Sequence, residues 1–409
     1  MSRFAVACVL AFAAAGAGAD DAVTFDAREL RAIVRLSPLP PPPRDPSNAV
    51  ADDPRAAKLG ERLFFDARLS ANGATACATC HDPARAWTDG KRSADGGARF
   101  ARNTPSIRDT AHNRWFYWDG RADSAWAQAL GPLENAREMG GNRLAQIRLV
   151  ASDARLAADY AAVFGALPDG IADPRRFPPA ARPLVDAPDD PLDVAWRAMR
   201  DDDRRAANRM FAEIGKAIAA FERGITVGET PFDRYVARLR QGDGAPTREF
   251  TVAAQRGLKL FVGRGQCTLC HSGAGLSDGE FHDVGIALGE NHRVDPGRHR
   301  GVLTLLASGF TRAGEYADAI AADAPIRYLA LQSDQLGQFK TPTLRGVAGT
   351  APYMHDGRFD TLEQVVRFYS TRVGASPLGH PTTLLKPLGL NEGEVGDLAT
   401  FLRALGGER

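Results

Sequence analysis

Near its end the chain reads NEGEVGDLATFLRAL, with Val395, Leu398, Leu402 and Leu405 recurring at intervals of three and four. That spacing lays the four side chains along one stripe of a helix. Asn391 and Glu394 stand where a capping box would open it. DPRAAKLGERLFF (53–65) predicts another helix, with Asp53 as N-cap and Pro54 at the first helical position. A polar stretch over about 203–224 predicts a third, after the proline-rich loop DPRRFPPAARPLVDAPDDP. Residues 20–54, with PLPPPPRDP inside them, predict an extended strap rather than a folded unit. The class these patterns predict is mainly α with long loops.

The pattern also repeats. GERLFFDARLSANGATACATCHDPARAWTDG (60–90) parallels GLKLFVGRGQCTLCHSGAGLSDG (257–279). NTPSIRDTAHNRWFYWDGRADSAWAQALGPLE (103–134) parallels KTPTLRGVAGTAPYMHDGRFDTLEQVVRFYST (340–371). Arg108 to Asp119 and Arg345 to Asp356 are both eleven residues, so no gap is needed there. Internal duplication predicts two like domains, over 55–200 and 201–409, with 286–335 inserted in the second.

The first twenty residues, MSRFAVACVLAFAAAGAGAD, hold one Arg, a short apolar run and small residues up to Ala19. They read as a cleavable signal peptide over 1–19, which predicts a periplasmic protein. A lipoprotein anchored through Cys8 fits less well, because Cys8 sits inside the apolar run. No later run is apolar enough to span a bilayer. Hydrophobic residues make up 44% and charged residues 25%, and the formal net charge is +1. Removing Arg3 with the signal leaves the two signs balanced. That recommends neither nucleic acid nor an anionic membrane as a partner.

Charge recommends no partner; the cysteines point to chemistry. Apart from Cys8, every cysteine lies in CATCH (77–81) or CTLCH (267–271). C-x-x-C-H is the attachment signature of c-type haem. Cys77, Cys80, Cys267 and Cys270 would bond two haems covalently, with His81 and His271 as proximal iron ligands. A zinc ribbon wants its two pairs close together, and these are about 190 residues apart.

Three residues of the second copy could close the far side of its iron: Met354, His355 and Tyr369. Aligning the copies on Asp119 and Asp356 pairs Trp118 with His355, Tyr117 with Met354 and Pro132 with Tyr369. Pro offers iron no donor atom, and a Tyr oxygen can ligate. Two modules that fold alike would then hold one open and one closed haem.

With WDGRA and TAPYMHDG in place, the chain resembles the bacterial di-haem cytochrome c peroxidase and MauG superfamily over about 55–405. The wording of the first module is most similar to the MauG-like MbnH branch, associated with methanobactin operons. The resemblance implies two cytochrome c-like haem domains, the first open to peroxide and the second six-coordinate. The MauG branch has Tyr where Tyr369 falls; the peroxidase branch usually has Met. The peroxidase branch also carries a distal His after its first motif, and no His lies between His81 and His112.

Site residues follow from the resemblance. The catalytic carboxylate falls on Glu138 rather than Glu134, with Gln128 and Pro132 lining the same pocket. Trp118 matches the tryptophan between the haems. A calcium ion is implied at Asn103, Thr350 and Pro352. The implied activity is oxidation of tryptophan on an MbnP-like periplasmic partner protein, using hydrogen peroxide to form a high-valent di-haem state. Two other readings stay open: peroxide reduction with electrons from a small cytochrome c, and a non-enzymatic di-haem electron carrier. MauG's surface Trp before the second motif has no counterpart in FVGRGQ. Trp115 and Trp126 read as packing residues. His112, His282, His292, His299 and His380 read as surface or structural residues.

Overall fold

The computed structural model describes residues 23–93, 102–288, 294–320, 324–376 and 382–407. The expected signal peptide, His292 and His380 lie outside them. The described residues form thirteen α-helices and one two-stranded antiparallel ladder, Phe281–His282 against Phe339–Lys340. The mainly α expectation is borne out. No described helix is long and apolar enough to cross a membrane.

Each half is built on a crossed helix pair. Pro54–Phe64 starts at Asp53, whose carboxylate accepts from the Arg55 amide at 2.8 Å. It crosses Asp201–Glu222, where a Cβ on Gly60 would fall 1.9 Å from the Ala217 carbonyl oxygen. In the second half Val252–Val262 crosses Glu392–Arg403 in the same manner: a Cβ on Gly257 would lie 2.1 Å from the Asp397 oxygen. Both crossings are so close that only glycine fits. The Asn391–Glu394 capping box forms, each side chain accepting from the other residue's amide at 3.0 Å. Val395, Leu398, Leu402 and Leu405 are all buried behind it.

Two hydrophobic cores result. The first gathers Leu59, Leu63, Phe64, Trp126, Leu130, Leu144, Ile147, Phe211 and Ile218. The second gathers Phe232, Tyr235, Phe250, Leu258, Leu362, Val366, Leu398 and Phe401.

Three details differ from the sequence reading. The stretch expected as a polar helix is Asp201–Glu222, and Met210, Phe211, Ile214, Ala217 and Ile218 bury its inner face in the first core. A boundary between 200 and 201 therefore cuts this helix away from the core it completes. The strap is not wholly extended: Asp26 and Glu29 form a capping box that opens a short helix, Ala27–Ile33. Ile33 and Leu36 of the strap are buried in the second core. Further on, Ser47 accepts from the Trp126 indole at 3.0 Å and Asn48 donates to the Lys216 carbonyl, both in the first half. The 286–335 insertion also reaches across. The Arg298 guanidinium carbon lies 4.4 and 3.9 Å from the ring centroids of Trp115 and Phe281, and Tyr316 enters the first core.

Candidate active site

The duplicated segments fold into duplicated turns. Phe116 pairs with Ala122, and Tyr353 with Phe359, around the sequences YWDG and MHDG. Tyr117 and Met354 are both left-handed, at φ 64° and 72°, as are Gly120 and Gly357. Each turn leads into a capped helix: Ser124 opens Ala125–Glu134 and Thr361 opens Leu362–Thr371. Pro132 and Tyr369 each stand eight residues past their own cap, so the sequence alignment is also a structural one.

A cavity of about 1100 Å³ runs between the halves. Cys80 and His81 line it from one side, and Cys267, Cys270 and His271 from the other. Cys77 packs at the edge of the first core. None of the four motif cysteines is in a disulfide. Burial, with Glu222 nearby, pushes the Cys77 thiol up to about 12; burial does the same to Cys267.

The two imidazoles are held alike. His81 Nδ1 bonds the Trp87 carbonyl at 3.1 Å, and His271 Nδ1 bonds the Leu276 carbonyl at 3.0 Å. Each carbonyl belongs to a left-handed residue, Trp87 at φ 62° and Leu276 at φ 50°. Such a bond fixes the tautomer and leaves Nε2 for a metal. Burial lowers both imidazole pKa values, which keeps the rings in the neutral, metal-binding form. Unpaired thiols, oriented neutral imidazoles and a shared cavity fit two covalently held haems.

The expected site residues gather around this cavity. Gln128, Pro132, Glu138, Trp118, Tyr369, Asn103, Thr350 and Pro352 all line it. Glu138 is half-buried, and its Oε1 accepts from Asn135 Nδ2 at 2.6 Å. Glu134 is engaged elsewhere, in a paired contact with Arg143 at 2.7 and 3.0 Å. Tyr117 donates its hydroxyl to the Gln128 carbonyl at 2.8 Å, tying the turn to the helix that carries Gln128.

Trp118 sits where the halves meet. Its indole donates to the Asn103 carbonyl at 2.9 Å, and its ring stands edge-on to His355, 6.5 Å between centroids. These two are repeat partners, so the duplication brings its own equivalent positions face to face. His355 is buried, stacked on Phe339 at 3.6 Å, and burial pushes its pKa down to about 4. Its carbonyl accepts from the Asn103 amide at 2.7 Å. Asn103 Nδ2 donates to the Lys91 carbonyl, and Thr350 and Pro352 line the same cavity as Asn103. Burial, then the nearby Cys270 sulfur, pushes the Tyr369 phenol well above its ordinary pKa, while Arg372 opposes.

Other sequence readings resolve simply. Trp115 and Trp126 are buried packing residues. His282 bonds Asp278 at 2.7 Å, next to Cys270. Two cavity residues escaped sequence reading. Glu222 is buried at the end of its helix, and burial pushes its carboxyl up to about 8. Lys340 is lowered to about 8, again chiefly by burial. The apolar neighbours of Glu222 in AAFERG were the available signal.

Known proteins are similar to this chain. The family model for di-haem cytochrome c peroxidase matches residues 54–241. Cytochrome-c peroxidase IdrP1 of Denitromonas iodatirespirans is 33% identical, over 98% of this chain and 92% of its own. Methylamine utilization protein MauG of Methylorubrum extorquens is 30% identical, over 95% of this chain and 87% of its own. A solved MauG-like protein associated with microbial copper homeostasis superposes with a TM-score of 0.59 at 27% identity, covering 90% of this chain and 95% of that one.

Proposed function

Since the chain belongs to the di-haem cytochrome c peroxidase and MauG family of oxidoreductases, we propose that it uses hydrogen peroxide to oxidise tryptophan on a periplasmic partner protein. One observation carries this: equivalent helical positions hold Pro132 in the first half and Tyr369 in the second, both facing the cavity. Haems bound at the two motifs would supply redox-active iron, open to oxidant in the first half and capped by the Tyr369 phenol oxygen in the second. Met354 and His355 are less suited as caps. Met354 sits in the turn itself, and His355 is stacked on Phe339 at the junction of the halves.

Glu138 is the proton carrier. Its carboxylate takes a proton from the near peroxide oxygen and returns it to the far one, which leaves as water. Gln128 orients peroxide by hydrogen bonding. Trp118, between the halves, passes electrons from one site to the other. Each peroxide consumes two electrons and two protons and yields two waters; a partner indole gives up two electrons and, on taking an oxygen from a solvent water, releases two protons. Asn103, Thr350 and Pro352 hold calcium through oxygen alone, as calcium prefers. Export through residues 1–19 belongs to the same reading.

Relatives named cytochrome-c peroxidase favour a second reading, in which the electrons come from a small cytochrome c. Family membership sets the plain electron carrier aside.

Glu138→Gln tests the proposal. Both haems should stay bound while the rate of peroxide activation falls about 10²–10⁴-fold, the usual worth of a positioned acid–base group. An unchanged stopped-flow rate removes Glu138 from the mechanism. Peptide mass spectrometry of a co-expressed partner after peroxide addition separates the readings: added oxygen on a tryptophan supports the first, and rapid turnover of reduced cytochrome c with no modified partner supports the second.

A further inference from the structure

Electrons from any large donor must cross the protein to reach the first haem site, and one side chain is placed to carry them. The chain has five tryptophans. Trp115, Trp126 and Trp196 are buried, at 5%, 0% and 7% exposure, and Trp118, partly buried, lines the cavity between the halves. Trp87 differs on two counts. Its own carbonyl receives the His81 Nδ1 bond, so it is one hydrogen bond from the imidazole that would hold the first iron. Its partly buried ring lies beside a path of aromatic rings that reaches solvent at Phe65.

The packing around it is specific. Trp87 meets Phe64 and Phe221 edge-on, with centroids 5.9 and 6.2 Å apart. Phe64 in turn lies 6.5 Å from the His81 ring. Phe65, 46% exposed, stacks edge-on against both Phe64 and Phe221 at the outer end. Ala86 and Trp87 are both left-handed, at φ 56° and 62°. Such conformations are uncommon for bulky residues, and their clustering at a site motivates a functional reading. The second half holds its imidazole by the same left-handed device with a fully buried Leu276, which has no redox chemistry. The hydrogen bond needs only a carbonyl at this position. A partly buried indole there is the feature the bond leaves unexplained.

We propose that Trp87 is the electron port of the first half. This rests on the peroxide-driven reading above and names the residue through which its electrons enter. The indole gives one electron inward towards the His81 side of the site. The hole left on the ring is filled by one electron from a donor docked over Phe65 and Trp87. Two such passages per peroxide supply the two electrons its reduction consumes, and the donor releases its protons to solvent.

The test uses the haem-loaded protein, hydrogen peroxide and ferrocyanide as a one-electron donor. Trp87→Phe should react with peroxide at the wild-type rate and keep its absorption spectrum, but refill from ferrocyanide at least about tenfold more slowly. Trp87→Tyr, which can still be oxidised, should stay within about threefold of wild type. A packing role would rank the two the other way, since Phe matches the apolar surroundings better. A second readout needs no variant: peroxide without donor should leave added oxygen on Trp87, found by peptide mass spectrometry. Oxidation confined to other residues overturns the port. So does a Phe variant that refills as fast as wild type. A wild-type protein indifferent to peroxide overturns the functional reading itself, and the port with it.

Discussion

At Tyr369, a phenol stands where the first half has Pro132. Its helix partner Pro132 cannot donate to iron, so exchanging the ring for one without oxygen should abolish the difference. Tyr369→Phe is expected to change the absorption spectrum of the second haem alone. It should also move that haem's reduction potential upward, within the roughly 0.8 V that axial ligands control. Potentiometric titration checks this; an unaltered second haem returns the choice to Met354 or His355. The cysteine pairs, the imidazoles and the Tyr369 position were legible because attachment chemistry and duplication both leave marks in sequence. Glu222, Lys340 and the setting of Trp87 were not. Their character comes from what packs around them, and burial is written across distant segments.

Helices were legible where a cap and an apolar stripe coincide, as at Asn391 to Leu405. The Asp201–Glu222 helix was legible as a helix but not as a core element. It opens with three aspartates and carries Arg204, Arg205 and Arg209 on the way to its apolar residues, so its mean polarity hides its buried face. What the sequence conceals more deeply is the closeness of the crossings. In an exposed helix, Gly→Ala would gain about 0.8–1 kcal/mol. Gly257→Ala should instead lose ~1–3 kcal/mol, because the new methyl meets the Asp397 backbone oxygen and Phe401 Cβ at 2.1 and 2.8 Å. Gly60→Ala should behave likewise against Ala217. Urea denaturation followed by circular dichroism reads the sign; a stabilised variant would mean the helices are free to separate.

Over the whole molecule, the two halves are bound by a buried charge cluster. Arg102 pairs with Asp119 of the first turn at 2.6 Å and with Asp295 of the insertion at 2.8 Å. Burial works against both carboxylates, but Arg102 and, for Asp119, Arg121 hold them below their ordinary pKa. Depressed carboxylates contribute stability above their unfolded pKa and lose it as pH falls through the folded value. The junction should therefore loosen in acid below the usual carboxylate range. Arg102→Met strands the buried Asp295 and leaves Asp119 with Arg121 alone, and should cost about 3–5 kcal/mol at neutral pH. Its deficit should shrink as the carboxylates become protonated. Thermal unfolding across pH checks both; a pH-independent deficit would locate the loss in packing.

The strap has a last consequence, for the order in which such a chain can be completed. Ile33 and Leu36 emerge among the first residues, yet the surfaces that cover them include Leu398, Phe401 and Leu405 at the other end. The second core therefore closes only after the chain has been made from Ile33 through Leu405. Until then the cleft lined by Cys80, Cys267 and Cys270 lacks a wall, and whatever attaches a cofactor there has its time to work.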